Sequence, residues 1–592
     1  MDPEAHTAAV VPLVETVKLM GWDHLCVRPN CGLCSASLTV DEPILLLFGR
    51  HDSTSIPKPR GPFAFHDNSL PTIINNEVWL CRKLDCGWCA GAYEGSTVHP
   101  DCFELATRRC SLPKTIHHLW IMTTWRSPWR HAPELRLEEG MITPDFSITD
   151  KLAIPQMRAL PPEILHLIYE YSRGSLFWRY SVVSELTSGL LDLPDKLRSV
   201  PLSEIASWNR GGQLEMASDN CQPLIRLTID SWGIVSVKGL SSDTKFKRWR
   251  TDSMAYIVVG RNHTSGIMAH FKSERMRLEL PEPPNRLQIW DTPTPPRFLT
   301  LCDLHSSYMI GPAALEAPLR FNTIDLGLVL GLTFFFDRGG ICGIHPHTAR
   351  SWCAQSTYQC LPTRPEPIDA WIYVPVSRQD YIAAMGICFS MKEKINSVCL
   401  LLRMKLAGDV TVGLTCSNYE REYFHPSVHT LAFNVSELLP VGLLSMISTE
   451  RHPTYPTPDF DRRQLTSAPI EDPFFSVAPL NHVTRVDIFN HAETGYCMGI
   501  LLKYENGAQR ALGQCRVGVD RIECYDCPDK IWLRRCLSIE GYGDRPTLHQ
   551  TQLRIELKDI QYEEEEWSSF SMQGELEFWF SRKETYLIAV AH

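Results

Sequence analysis

An α+β multidomain chain is what these 592 residues predict: a small cysteine-rich N-terminal module, a short helical segment and a large mainly-β C-terminal region. Three observations carry this. A cysteine signature occurs twice near the N-terminus. Apolar residues take a helical period after residue 160. From about residue 222 onward, β-branched alternation and glycine turns replace it. The length allows several cores, and 44% hydrophobic with 21% charged residues is an ordinary globular composition.

The first copy of the signature is Leu25-Cys26-Val27-Arg28-Pro29-Asn30-Cys31-Gly32-Leu33-Cys34, and the second is Leu80-Cys81-Arg82-Lys83-Leu84-Asp85-Cys86-Gly87-Trp88-Cys89. Both fit L-C-x4-C-G-x-C, and His99 and Cys102 follow with two residues between them. A C-x2-C or H-x2-C pair holds two ligands on one tight turn. Two such pairs make the tetrahedral N/S site that Zn2+ prefers. Cys31, Cys34, His99 and Cys102 are the expected first zinc site, and Cys86 and Cys89 with Cys26 and Cys81 can complete a second; spacing alone does not say which cysteine serves which metal. The ligands can also be shared in a crossed manner, as in RING-like folds. Buried free thiols and disulfides are the alternatives, because cysteine packs well as a small hydrophobe. Eight of the 21 cysteines lie in the first 110 residues, which favours zinc.

The net charge of -10 opposes general nucleic-acid binding. Lys245, Lys247, Arg248 and Arg250 around Trp249 read as a solvated edge. Met1-Asp2-Pro3-Glu4 lacks the basic start and apolar run of a signal peptide, and the apolar stretch Leu326 to Phe336 is too short to span a bilayer. An intracellular protein, cytoplasmic or nuclear, without membrane association is expected. In that reducing setting C-x2-C means metal.

Along the chain, residues 1–20 read as a tail, 21–115 as the zinc module and 126–156 as a proline-bearing linker. Helices follow over 157–200. Ile164, Leu165, Ile168 and Tyr171 share one apolar face, and prolines at the start suit the first helical turn. The β segment covers 220–300 and ends in a proline-rich arm. Residues 301–445 and 476–592 are β-rich regions expected to pack together, with 446–475 as a proline-rich linker. Gly331 to Gly339 and Gly499 to Gly507 share G-[LI]-x3-[FY]-[DE]-x-G, so both should be hairpins, in matching positions, with turns at Gly339 and Gly507. A weaker relative runs from Cys399 to Gly413.

The stretch Leu160-Pro161-Pro162-Glu163-Ile164 resembles the opening of an F-box, a motif that docks on the adaptor subunit of a cullin-type ubiquitin ligase. The resemblance implies that Leu160, Pro161, Ile164 and Ile168 make that contact. The family's downstream R-x-V-C-x-x-W element is replaced here by Ser175-Leu176-Phe177-Trp178-Arg179-Tyr180. In a docking helix Ile164 and Ile168 should be exposed; in a core helix they should be buried. The order of parts also resembles a group of filamentous-fungal proteins with a cysteine-rich start, an L-P-x-E-I helix and a β-rich C-terminal region. Ile205 to Gly211, Trp290-Asp291-Thr292-Pro293 and Ile341 to His345 are similar phrases. The hairpin rhythm resembles jacalin-type β-prism repeats.

No G-x-S-x-G, H-E-x-x-H or Walker-type motif occurs, so an enzyme is not expected. His345 and His347 near Cys342 are the best candidates for a site in the β region, with a turn after a strand as the plainer account. Cys524 and Cys527 have knuckle spacing without a second pair nearby, and Glu563 to Glu566 read as a solvated acidic stretch. The expected function is that of a non-enzymatic adaptor linking an unknown client to a cullin-type ligase. The alternative is an enzyme or carbohydrate-binding protein with its site near His345.

Overall fold

Strands dominate the computed structural model, and among the described residues the α-helices cluster between Pro100 and Ser188, apart from the short Gln355–Gln359. The structure describes residues 23–590 except 50–56, 67–71, 76–77, 83–85, 87–88, 90–93, 110–112, 136, 138–143, 152–153, 173, 189, 191–195, 219–220, 242–251, 282–286, 297–298, 300, 305–307, 311–318, 362–367, 393–394, 415–420, 436–440, 448–468, 471–472, 539–547, 557–566 and 583. The 1–20 tail, the basic cluster around Trp249, most of the proline-rich linker and Glu563 to Glu566 therefore lie outside the described residues. Two units form: Met1–Pro295 with Glu316–Arg320, and Pro296–Leu315 with Phe321–His592.

In the first unit the cysteine-rich module is built from two small sheets. Pro43–Gly49 runs between Lys58–Ala64 and Glu94–Val98, and Val78–Cys81 runs between Asp23–Cys26 and Thr72–Asn75. Its core does not stop at residue 115. Leu25, Leu33, Ile44, Leu46 and Leu80 pack in one apolar cluster with Trp120 and Trp125, and with Trp178, Val182 and Val183 from helix Leu176–Ser188. The helical segment is thus part of the module, because a cysteine-rich sheet of this size cannot bury its own apolar face.

The stretch expected as a linker is also more than a connection. It holds the short helix Phe146–Lys151 and buries Trp129 and Ala132 in a second core. That core belongs to an antiparallel sheet in which Leu224–Asp230 pairs with Gly233–Leu240 on one side and Ala255–Gly260 on the other. The alternating burial of Leu224–Asp230, with Ile225, Leu227 and Ile229 inward, follows from the two-residue period of a strand.

The second unit contains the same topological plan twice. In the first copy, residues Phe321–Asp325 pair with Thr430–Asn434, which pairs with Leu443–Ile447. In the second, Phe474–Pro479 pairs with Glu575–Phe580, which pairs with Thr585–Val590. Each copy therefore closes its first strand onto strands from its own end. Between them, each copy carries one four-stranded and one three-stranded sheet.

The four-stranded sheets are Ile382–Lys392, Ile395–Met404, Gly408–Gly413 and Arg421–Pro426 in the first copy, and Val483–Asn490, Cys497–Tyr504, Gln509–Gly513 and Arg521–Asp526 in the second. Both have the spatial order third-second-first-fourth, a Greek key. Their registers coincide: Cys399 pairs with Gly413 and Leu402 with Val410, just as Gly499 pairs with Gly513 and Leu502 with Arg510. Even the irregularity after Ile382 recurs after Val483. Leu400, Leu402 and Val412 enter the main core of the unit, as do Ile500, Leu502 and Leu512.

This corrects the hairpin matching. Gly331–Asp337 with Gly340–His347, and Cys497–Tyr504 with Gln509–Gly513, are hairpins, and Gly339 and Gly507 take positive φ in their turns. They do not occupy matching places. The first lies in a three-stranded sheet, flanked by Ala370–Pro375, whereas the counterpart of the second is 399–413. A turn motif reports the local backbone, and many hairpins share it.

Candidate metal centre

The first cluster is assembled from two turns. After Cys26 the chain makes a knuckle in which the Ser35 N–H donates to Cys31 O at 2.8 Å and the Cys31 N–H to Ala36 O at 2.9 Å. Ser35 closes it with a φ of 59°. Gly32 is required by close approach, since a Cβ there would collide with Ser96 Oγ and lie 2.8 Å from Thr123 Cβ. The second turn is the start of helix Pro100–Arg109. His99 precedes its first residue and Cys102 lies three positions on, so both face the same side.

Cys31, Cys34, His99 and Cys102 are all buried, with donor atoms within 4.8 Å of one another. His99 Nδ1 lies 3.4 Å from Cys34 Sγ and 3.7 Å from Cys102 Sγ. A tetrahedral centre with bonds of ~2.0–2.3 Å separates N and S donors by roughly 3.5 Å. The other ring nitrogen, Nε2, is 3.2 Å from Glu42 Oε1. A carboxylate on the outer nitrogen fixes ring orientation and is the usual second shell of a metal-bound histidine.

The second cluster is His24, Cys81, Cys86 and Cys89, again within 4.8 Å. His24 lies on strand Asp23–Cys26, parallel to Val78–Cys81, and its Nδ1 is 3.2 Å from Cys89 Sγ. Cys26 is not among the four mutually close donors, but its thiol hydrogen-bonds Cys89. Residues 24 and 26 face the same side of one strand, so both approach the second knuckle. His24 sits in no knuckle, and only its two-residue alternation with Cys26 could have pointed to it. In chain order the ligand groups alternate between clusters: His24, then Cys31 and Cys34, then Cys81, Cys86 and Cys89, then His99 and Cys102. This is the crossed sharing.

Thiol chemistry in both clusters favours a bound cation. Burial pushes Cys31 up, but hydrogen bonds from Cys102, Cys34 and His99 outweigh it and hold the thiol well below its ordinary range. Cys102 is pushed up by its bonds to Cys31 and Cys34 and by burial. In the second cluster the bond from Cys89 lowers Cys26 to about 7, while Cys89 is raised by its bonds to Cys26 and Cys81. In each region one thiol is held down by its neighbours while another is pushed up, Cys31 against Cys102 and Cys26 against Cys89. Each cluster can hold a metal ion.

The surrounding charges anchor these turns. Arg277 makes a bidentate pair with Glu94, at 2.7 and 2.5 Å, on the strand leading to His99. Burial alone would raise the Glu94 carboxyl; Arg277 reverses this and holds it low. Arg130 donates to Cys89 O at 2.7 Å.

The other candidate residues are dispersed. Leu160 is half-buried and Pro161 exposed at the start of helix Pro162–Ser172. Ile164 is 41% exposed, Leu167 47%, Ile168 36% and Tyr171 89%. The inward face is Leu165, Tyr169 and Ser172 instead; Tyr169 meets Trp178 edge-on at 5.2 Å, and Trp178 Nε1 donates to Ser172 Oγ at 2.8 Å. In the second unit, His345 and His347 are buried on strand Gly340–His347. His345 Nδ1 bonds Thr357 Oγ1 and His347 Nε2 bonds Thr333 Oγ1, each at 2.7 Å. Cys524 and Cys527 are exposed.

No protein-family model matches the chain, and no curated protein matches it. Among the described residues, no helix is long and apolar enough to cross a membrane.

Proposed function

We propose that this is a non-enzymatic interaction protein with structural zinc in both Cys/His clusters. The helix Pro162–Ser172 docks on the adaptor subunit of a cullin-type ubiquitin ligase, and the β-rich unit selects the client. Four-donor sets of three cysteines and one histidine suit structural Zn2+. The observation that carries the docking role is the exposed stripe Ile164, Leu167, Ile168 and Tyr171. It sits on a helix opening with Leu160-Pro161 and seated from behind by Tyr169. Such i, i+3, i+4, i+7 anchors are the pattern of helix-in-groove recognition.

The test is co-purification from cell extract of the intact protein and of Ile164→Asp. A cullin adaptor should accompany the wild type and be lost with the variant, while zinc content and solubility stay unchanged. An adaptor absent from the wild type, or retained by the variant, defeats the docking role.

The duplicated plan of the second unit favours a second reading, that of a carbohydrate-binding protein with β-prism-like modules. Binding of the whole chain to a glycan array, unaffected by Ile164→Asp, would support it.

A further inference from the structure

We propose that Arg179 couples the first cluster to the exposed stripe, so that metal occupancy and presentation of the docking helix are thermodynamically linked. The inference rests on the reading of Cys31, Cys34, His99 and Cys102 as a metal centre. It is independent of what the stripe binds.

Arg179 belongs to helix Leu176–Ser188, and its side chain is 12% exposed. One guanidinium nitrogen is 2.8 Å from Asp101 Oδ1 and 3.8 Å from Cys102 Sγ. The other is 3.9 Å from Glu42 Oε1, the carboxylate that holds His99. A single cation therefore touches a ligand thiol and both carboxylates that flank the cluster. Three thiolates and a neutral imidazole around a divalent ion leave one net negative charge. Arg179 lies where that charge needs an opposite one. A metal held by Cys102 and His99 fixes the thiol that Arg179 touches and, through the His99 ring, the Glu42 carboxylate beside it; without the metal these groups are no longer tied to one centre.

The next link is the neighbouring residue. Trp178 is buried, bonds Ser172 through Nε1 and meets the Tyr169 ring. Tyr169 is the one well-buried described residue of helix Pro162–Ser172, whose other side bears the stripe. A helix of this length is marginal without tertiary support. Its seat is helix Leu176–Ser188, which in turn packs on helix Pro100–Arg109, the one that carries Cys102. Linkage is reciprocal: whatever the metal adds to helix order, helix docking returns as metal affinity.

The experiment uses the full chain loaded with Zn2+, with two readouts: zinc affinity by chelator competition, and amide hydrogen exchange over residues 162–188. Arg179→Gln should weaken one zinc site by about 10–100-fold, as outer-shell partners do, and Arg179→Lys should restore part of the loss. Cys34→Ser should speed exchange across 162–188, whereas Cys86→Ser, which disables the second cluster, should leave it slow. Wild-type affinity in Arg179→Gln overturns the coupling, as does unchanged exchange in Cys34→Ser or equal loosening by Cys86→Ser. A wild-type chain that takes up no zinc overturns the metal reading and the coupling with it. Loss of adaptor binding with the linkage intact would count against the docking role alone.

Discussion

The cysteine-rich module and the β-rich second unit solve the same problem by different means. The module closes its turns around two four-donor clusters whose ligands alternate along the chain, so each centre ties together segments far apart in sequence. The second unit has large apolar strands instead, with Phe334, Phe336, Leu400, Leu402, Ile500 and Leu512 in one continuous core. In the first, a metal in each cluster would fix the fold through a few bonds of high individual strength. In the second, stability is distributed over many contacts, none of which is decisive. The difference predicts distinct failures.

Removing metal should separate the two most sharply. Structural zinc supplies on the order of 10 kcal/mol in small modules. A strong chelator should therefore expose residues 23–188 to limited proteolysis while 321–590 stays resistant. Equal loss in both regions would break the comparison. The apolar core of the module, from Leu25 to Leu190, limits the damage to partial opening rather than a random chain.

The converse is a core truncation. Phe334 is fully buried, so Phe334→Ala should cost about 3–5 kcal/mol. Thermal unfolding of the second unit should fall by several degrees with no change in zinc content.

The duplication within the second unit makes a finer prediction. Gly413 and Gly513 have φ of 133° and 68°, and a Cβ would meet Val398 O at 2.5 Å and Met498 O at 2.6 Å respectively. Replacing either by Ala should cost about 1–3 kcal/mol from backbone strain, and the two losses should be similar. Markedly unequal denaturant midpoints would show that the copies carry different loads.

The smallest effect is a pH dependence in the first unit. Burial, then Arg130 and Arg28, lowers His131 to about 4, below the usual 6.5. Its neutral ring is favoured in the folded state, so its contribution is complete above about 6.5 and lost as pH falls toward 4. Acid also protonates the metal ligands. His131→Asn, compatible with the φ of 60° there, should flatten only part of the acid slope of the melting temperature.

What was legible in the sequence follows the range of each interaction. Cys31, Cys34, His99 and Cys102 were readable because each pair lies within one turn, and turns have fixed spacing. His24 was not, since a ligand on a strand announces itself only through a partner two residues away. The apolar periodicity marked helix Pro162–Ser172, but it could not tell that Leu165 and Tyr169 face inward and Ile164 and Ile168 outward. That choice is made by Trp178 on another helix. The equivalence of 399–413 with 499–513 was underrated for a related reason. Turn glycines are local, whereas membership of a Greek key is decided by a fourth strand that returns later.

The closure of each β copy onto its own end has a consequence during synthesis. Phe474 finds its partner, Phe580, only about 100 residues later. At the usual ~5–20 residues per second of translation, the strand Phe474–Pro479 emerges from the ribosome several seconds before the strand that covers it. The wait exposes Phe474 and Phe475 side by side on a nascent chain, and the first copy meets the same delay between Phe321 and Asn434. Such unpaired strands are what chaperones hold, and production of this chain in a foreign host should depend on chaperone supply more than on the folded protein's final stability.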